Sequence, residues 1–176
     1  SGCTVDMGLA RILGENKLNL SSPDHALRQR SIDRMAAELD AAREAGVSRC
    51  QLISGPRVGD ESARREQLKW LADSLRQICE FASAEEAAVR VLIEPLDIAT
   101  HKKMALGSTR EAVSMVRGGG FGLCLDTAHM LLNNENIEAS MREALEWIEE
   151  FHFCNCCRVP GHPLCGDYHI APGPPG

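Results

Sequence analysis

Glu94, Asp126 and His152 are the residues in this chain whose types and placement most readily suggest chemistry. Each lies at or near the end of a short apolar run, and the three runs succeed one another at roughly even spacing. Two carboxylates and an imidazole brought together offer O, O and N donors to a divalent cation. Mn²⁺, Mg²⁺ and Co²⁺ suit such a set, and Zn²⁺ is also compatible. Singly, each residue has a plainer role: Glu94 as a helix cap, Asp126 as a strand end, His152 as a core histidine. Their equivalent placement argues for the joint role.

The elements that must position them alternate between strand and helix. Ser22, as a cap, and Pro23, at the first helical position, open a helical pattern that Gly46 stops, with Leu27, Ile32, Met35, Leu39 and Ala42 as its apolar stripe. Val47 to Ser54 reads as a strand, and Asp60 opens a helix running to about Ala84 with Leu68, Leu71, Leu75 and Ile78 on one face. Ala88 to Ile93 is the next strand. Ser108-Thr-Arg-Glu111 has the capping-box pattern, and its helix ends at Gly118-Gly119-Gly120. Phe121 to Leu125 is a strand, Ile137 to about Glu149 a helix, and Phe151 to Asn155 a strand. The tail from Pro160 reads as loop, and little before Ser21 reads as a clean strand–helix unit.

Such alternation implies an α/β fold with a parallel sheet and right-handed crossovers. No Gly-x-Gly-x-x-Gly follows any of these strands, which weighs against a dinucleotide-binding open sheet. A (β/α)8 barrel carries its site on the C-terminal strand ends, where Glu94, Asp126 and His152 fall.

The segments Ile93-Glu94-Pro95-Leu96, Leu125-Asp126-Thr127-Ala128-His129 and Phe151-His152-Phe153-Cys154-Asn155 resemble the xylose-isomerase-like TIM-barrel superfamily. That group includes ketose 3-epimerases, other sugar isomerases, inosose dehydratases and endonuclease IV. The resemblance covers roughly residues 45 to 176. By likeness to the ketose 3-epimerases, Glu94 is expected to be both metal ligand and acid/base carboxylate, with Asp126 and His152 as further ligands. His129 and Arg158 would hold substrate hydroxyls. Asp167 and His169 would be auxiliary metal or substrate contacts. The implied reaction is isomerisation or epimerisation of a sugar, sugar phosphate or polyol by proton transfer through an enediolate.

The resemblance also implies a partner Glu on a last strand, and this chain stops about where the loop leading to it belongs. A whole barrel takes about 250 residues, so the 176 residues are expected to form one partial barrel domain lacking early strands and the last strand. Such a fragment is expected to be inactive or poorly stable, because it exposes barrel edges.

Two other readings compete. Asp167-Tyr-His169 also matches the Asp-x-His that supplies zinc ligands in the endonuclease IV branch, a phosphodiesterase acting on abasic DNA. Against that, Val47 to Ser54 offers no early-strand histidine. The other is a non-catalytic zinc module formed by Cys154, Cys156, Cys157 and Cys165 with His152, His162 and His169. Its Cys-x-Cys-Cys spacing lacks the usual Cys-x-x-Cys pairs, and the plainer fate of those thiols is a buried strand face.

Composition narrows the partners. A net charge of −6, with 44% hydrophobic residues, fits a globular small-molecule enzyme and shows no basic stripe for nucleic acid. Arg28, Arg30, Arg64 and Arg65 lie among acidic residues and read as solvated helix faces. No apolar run reaches the roughly 20 residues of a bilayer span, and no signal pattern opens the chain, so cytoplasmic residence is expected. Of the eight cysteines, Cys50, Cys79 and Cys124 fall in apolar runs and read as small hydrophobes. Trp70 and Trp147 read as packing residues on helices, His25 as a surface residue, and His101 as solvated loop on the active-site side. The expected partner is a small sugar or sugar phosphate, with self-association into a homo-oligomer left open.

Overall fold

The computed structural model describes residues 5–83, 88–171 and 173. The elements, in chain order, are β1 (Asp6–Gly8), α1 (Ala10–Glu15), α2 (His25–Glu44), β2 (Arg49–Ile53), α3 (Glu61–Ala82), β3 (Arg90–Glu94) and α4 (Thr109–Val116). There follow β4 (Gly122–Asp126), α5 (Thr127–Leu132), α6 (Ile137–Ala144), β5 (Ile148–His152), β6 (Asn155–Cys157) and β7 (Gly166–Ile170). Strands β1 to β5 form one parallel sheet in sequence order, curled into half of a barrel and backed by helices. This is the expected α/β partial barrel.

Alternation along the strands sorts the side chains. Cys50, Leu52, Val91, Ile93, Leu123 and Leu125 join the apolar core with Met35 and Leu39 of α2 and Leu71, Leu75 and Ile78 of α3. The intervening residues face the concave side. There, Arg49 pairs bidentately with Asp6 (2.8 and 2.6 Å) and donates 2.9 Å to the Glu149 carbonyl, while Arg90 pairs with Glu149. These pairs fill the N-terminal end of the half-barrel and leave its C-terminal end for the site.

Several boundaries differ from the sequence reading. Asp24, not Ser22, caps α2, accepting from the amides of Ala26 and Leu27 (2.8 and 3.3 Å); Ser22 Oγ instead accepts from the Asp24 amide, and Pro23 lies outside the helix. Gly46 does stop it, at φ 74°. The capping box of Ser108 and Glu111 forms as expected. α3 is described to Ala82; Ala84, where its end was expected, lies outside the described residues.

β1 was not expected. Three residues give too short a pattern to read, and pairing with β2 together with the Asp6–Arg49 ion pair defines it. The expected helix over 137–149 stops at Ala144, because the Trp147 carbonyl accepts from the Leu123 amide (2.9 Å) and draws the chain into the sheet. Trp147 is a packing residue, but not on a helix. β5 therefore begins three residues earlier than expected. The supposed loop tail contains β7, antiparallel to β6. Arg64 is also no solvated residue: it is 5% exposed, held by Glu61 (2.6 Å), Glu111 (2.5 Å) and the Ala105 carbonyl (2.9 Å). Arg28 is half-buried, its guanidinium 5.2 Å from the Trp70 ring centre.

Candidate metal centre

Glu94, Asp126 and His152 terminate β3, β4 and β5, and Asp126 and His152 are partners across the β4–β5 ladder. His152 Nδ1 lies 3.5 Å from Glu94 Oε1 and 3.7 Å from Asp126 Oδ2. Donor atoms on one ion, bound at about 2.1 Å in tetrahedral array, stand about 3.4 Å apart, so both distances from His152 suit a shared ion; Cys124 converges with Glu94 and His152, and Asp126 with His129 and His169.

The local chain explains each placement. Asp126 is both strand end and N-cap of α5: its Oδ1 accepts from the Ala128 amide (2.7 Å) and the Cys154 thiol (2.9 Å). Its Oδ2 is buried and has no hydrogen bond, although the residue is only 1% exposed. A carboxylate oxygen so placed is costly unless a cation or proton donor meets it. Glu94, 6% exposed, is held through Oε2 by the side-chain amide of Gln51 on β2, which leaves Oε1 facing the histidine. His152 Nε2 sits 2.8 Å from Glu150 Oε1 on the same strand face. These donors and the orphaned Oδ2 fit a divalent cation.

Electrostatics agree. Burial alone would raise the Asp126 carboxyl, but His152, the Cys154 thiol, His129 and the Ala128 amide outweigh it and hold its pKa down at about 2. The His152 imidazolium is favoured by Asp126, Cys124 and Glu94, which together raise its pKa far above the ordinary histidine value against the opposing effect of burial. Burial and the Asp126 charge push the Cys154 thiol up to about 12. Cys124, its Sγ 3.7–3.8 Å from the ring nitrogens of His152, is likewise pushed up to about 12, mainly by burial.

A second group adjoins the first. His129, 3% exposed on α5, has Nε2 4.0 Å from Glu94 Oε1 and 3.9 Å from Asp167 Oδ2. His169 Nε2 lies 2.9 Å from Asp167 Oδ1 and 3.7 Å from Asp126 Oδ2, its backbone in the left-handed region at φ 46°. The β6–β7 hairpin thus folds Asp167 and His169 over the strand ends. The loop after β3 secures it: His101 Nδ1 accepts from the Asp167 amide (3.0 Å), its ring stacks on Tyr168, and Lys102 reaches Asp167 (3.3 Å). His101 was read as solvated loop; it is exposed yet pins this hairpin. Asp97 shapes that loop by accepting from the amides of Thr100, His101 and Lys102, each at 2.7 Å.

Of the residues singled out from the sequence, Glu94, Asp126, His129, His152, Asp167 and His169 come together. Arg158 does not; its guanidinium donates to the Leu131 carbonyl (3.3 Å) and Asn134 Oδ1 (3.0 Å) at the end of α5. Among the described residues, the convergent ligand groups contain Cys124 as their one thiol, so Cys154, Cys156, Cys157 and Cys165 form no zinc knot there. Gln51 and Glu150 were missed. Gln51 interrupts an apolar strand, which is a readable signal. Glu150 lies two residues before His152, a shared-face spacing on a strand, but fell between the expected helix, ending at about Glu149, and the expected strand, starting at Phe151.

A parallel α/β half-barrel with polar residues gathered at its C-terminal strand ends has the layout of the (β/α)8 barrel class. The chain belongs to the xylose isomerase-like TIM barrel family, whose profile matches residues 4–173. Among curated proteins, none matches the chain. It is similar in structure to D-psicose 3-epimerase with D-tagatose from Clostridium cellulolyticum H10, at TM-score 0.70 and 24% identity, over 90% of this chain and 55% of that one. It is similar also to the IOLI protein with a bound zinc atom, at TM-score 0.74 and 18% identity, over 97% and 57%. An AP endonuclease of family 2 from Brucella melitensis gives TM-score 0.65 and 15% identity, over 77% and 52%. The likeness at these identities is one of fold, and the chain spans little more than half the length of each of these structures. Among the described residues, no helix is long and apolar enough to cross a membrane.

Proposed function

We propose that this chain carries the metal site of a divalent-cation-dependent sugar isomerase or epimerase. The observation that supports this best is the approach of His152 Nδ1 to both Glu94 Oε1 (3.5 Å) and Asp126 Oδ2 (3.7 Å), with the buried Oδ2 lacking any hydrogen bond. A bound cation would polarise the carbonyl and neighbouring hydroxyl oxygens of a sugar and acidify the adjacent C–H. Glu94 is the base that takes this proton, its carboxylate steadied by Gln51. His129, buried beside Glu94, is positioned to hold a substrate hydroxyl. Return of the proton from the opposite face falls to a second acid, expected by likeness to the ketose 3-epimerases to be a Glu on a further strand. The substrate class is a free or phosphorylated sugar or a related polyol, in keeping with the epimerase relatives.

Titration with Co²⁺, followed by its visible absorption, tests the site. One equivalent with weak bands and no strong near-ultraviolet charge transfer is expected, as O and N ligands give. Glu94→Gln, Asp126→Asn and His152→Ala should each weaken binding, whereas Cys156→Ser should not. Undiminished binding in all three ligand variants would refute the site. For the reaction, Mn²⁺-loaded protein is incubated with ketoses in D₂O; deuterium entering at the carbon beside the carbonyl supports the chemistry. Metal binding without exchange into any ketose tested would count against it.

One arrangement favours a second reading, a metal-dependent phosphodiesterase acting on abasic DNA. Asp126, His129 and His169 converge as a second donor group beside Glu94, Cys124 and His152, with Asp167 against both histidines, and several metals side by side suit in-line displacement at phosphorus. The net charge of −6 weighs against a DNA substrate. Two or more zinc equivalents together with cleavage of an abasic duplex would favour this reading; a single equivalent and no cleavage would favour the isomerase.

A further inference from the structure

We propose that Glu150 is the positioning residue of the metal centre, locking the His152 ring so that Nδ1 faces the cation. This inference rests on the reading of Glu94, Asp126 and His152 as ligands. His152 is the least confined of the three: its side chain is 35% exposed, against 8% for Glu94 and 0% for Asp126. Packing alone therefore does not fix the ring, and a histidine free to turn is a poor ligand. Glu150 Oε1, 2.8 Å from Nε2, supplies the constraint. With the proton on Nε2 donated to Glu150, Nδ1 keeps its lone pair for a cation, 3.5 Å from Glu94 Oε1 and 3.7 Å from Asp126 Oδ2.

The charge of this carboxylate is felt by Arg49, but its hydrogen bonding goes to His152. Among the described residues its one hydrogen bond is to His152, and its second oxygen, Oε2, is buried with no hydrogen bond. Glu149, its neighbour, is engaged differently, pairing with Arg90. A glutamate recruited for strand stability would be expected to find a cation, as Glu149 does. Residues two apart on a strand share a face, and β5 turns both Glu150 and His152 inward, opposite Cys124 and Asp126. A carboxylate behind a ligating imidazole fixes its tautomer and raises its basicity, and losing such a partner typically weakens metal binding by about 10–100-fold.

The test compares Co²⁺ affinity, read by visible absorption, in the unaltered chain, Glu150→Ala and Glu150→Gln, with urea unfolding of each in chelator. Glu150→Ala should bind about 10–100-fold more weakly at unchanged metal-free stability. Glu150→Gln should fall between, since its amide oxygen still accepts from Nε2–H, and it also carries the comparison if the alanine variant does not fold. Binding by both variants equal to that of the unaltered chain would overturn the role of Glu150 while leaving the metal site standing. A loss of metal-free stability that accounts for the whole affinity loss would make Glu150 structural and overturn it too. Absence of Co²⁺ binding by the unaltered chain would overturn the metal-site reading, and this inference with it.

Discussion

Asp126 and His152 face each other across the β4–β5 ladder because β5 carries one residue more than β4 between Leu123 and Cys124. Leu123 pairs with Ile148, yet Cys124 pairs with Glu150, and Glu149 is the extra residue. Without that bulge the ladder would set Phe151 opposite Asp126 and turn the imidazole to the other face, since a slip of one residue inverts every side chain. Glu149 is not idle: it pairs with Arg90 across Gly122, and its carbonyl accepts from Arg49. A charged contact at the closed end of the half-barrel thus accompanies the bulge that aligns Asp126 with His152 at the open end.

Gly122→Ala tests that linkage. An added Cβ would stand 2.3 Å from Glu149 Oε1 and 2.9 Å from Leu92 Cδ2, so the ion pair must move. A stability loss of about 1–3 kcal/mol is expected in urea denaturation, together with weaker Co²⁺ binding. Unchanged metal affinity would show that the bulge holds without the Glu149–Arg90 pair.

Metal affinity should rise with pH. His152 in the metal-free chain has a raised pKa, so a cation must displace its proton. Affinity should increase by about tenfold per pH unit for one displaced proton, up to the folded pKa, which lies above the ordinary histidine range. Calorimetry in buffers of different ionisation enthalpy counts the protons released. Release of none would mean that His152 binds without giving up a proton.

The buried Arg64 should make the fold sensitive to acid. Burial would raise the Glu111 carboxyl, but Arg64 and the Ser108 cap lower it below 4.5, and Arg64 also lowers Glu61. Because the folded pKa values are depressed, this stabilisation is present above the unfolded value and is lost as pH falls through the folded one. Glu111→Gln should flatten the stability–pH curve below pH ~5. Arg64→Met should cost about 3 kcal/mol, the lower end for breaking a buried pair, because Glu61 and Glu111 keep access to water. Both are read from urea midpoints across pH.

Asp97→Ala should release the loop that pins the β6–β7 hairpin. The carboxylate, lowered despite its burial by three backbone amides, organises residues 98–103. Loss of at least about 1.5 kcal/mol is expected, the value of one charge-assisted hydrogen bond. Faster hydrogen exchange should appear at Thr100, His101, Lys102 and Asp167. Exchange unchanged at Asp167 would separate the loop from the hairpin.

How far the sequence carried depended on the range of the forces involved. The capping box at Ser108, the stop at Gly46 and the apolar stripes of α2 and α3 are local effects and were legible. So was the central idea of the site, because a polar residue closing an apolar strand marks a strand end whatever lies around it. β1, too short to show a pattern, and β7, set in a Gly- and Pro-rich stretch, owe their existence to pairing partners and were not legible. The solvated reading of Arg64 failed for the same reason: Glu111, 47 residues away, is what draws it inside.

The sequence by itself determined the alternating α/β order and the identities of Glu94, Asp126 and His152 as strand-end donors. It also determined the resemblance that their segments carry. Only the tertiary structure decided that β5 begins at Ile148, that a bulge turns His152 inward with Glu150 behind it, and that Asp167 and His169 fold over the strand ends. Strand existence follows from the composition of a few neighbouring residues. Register and facing follow from hydrogen bonds and ion pairs between residues far apart in the chain, such as Arg49 and the Glu149 carbonyl, and no local pattern encodes those.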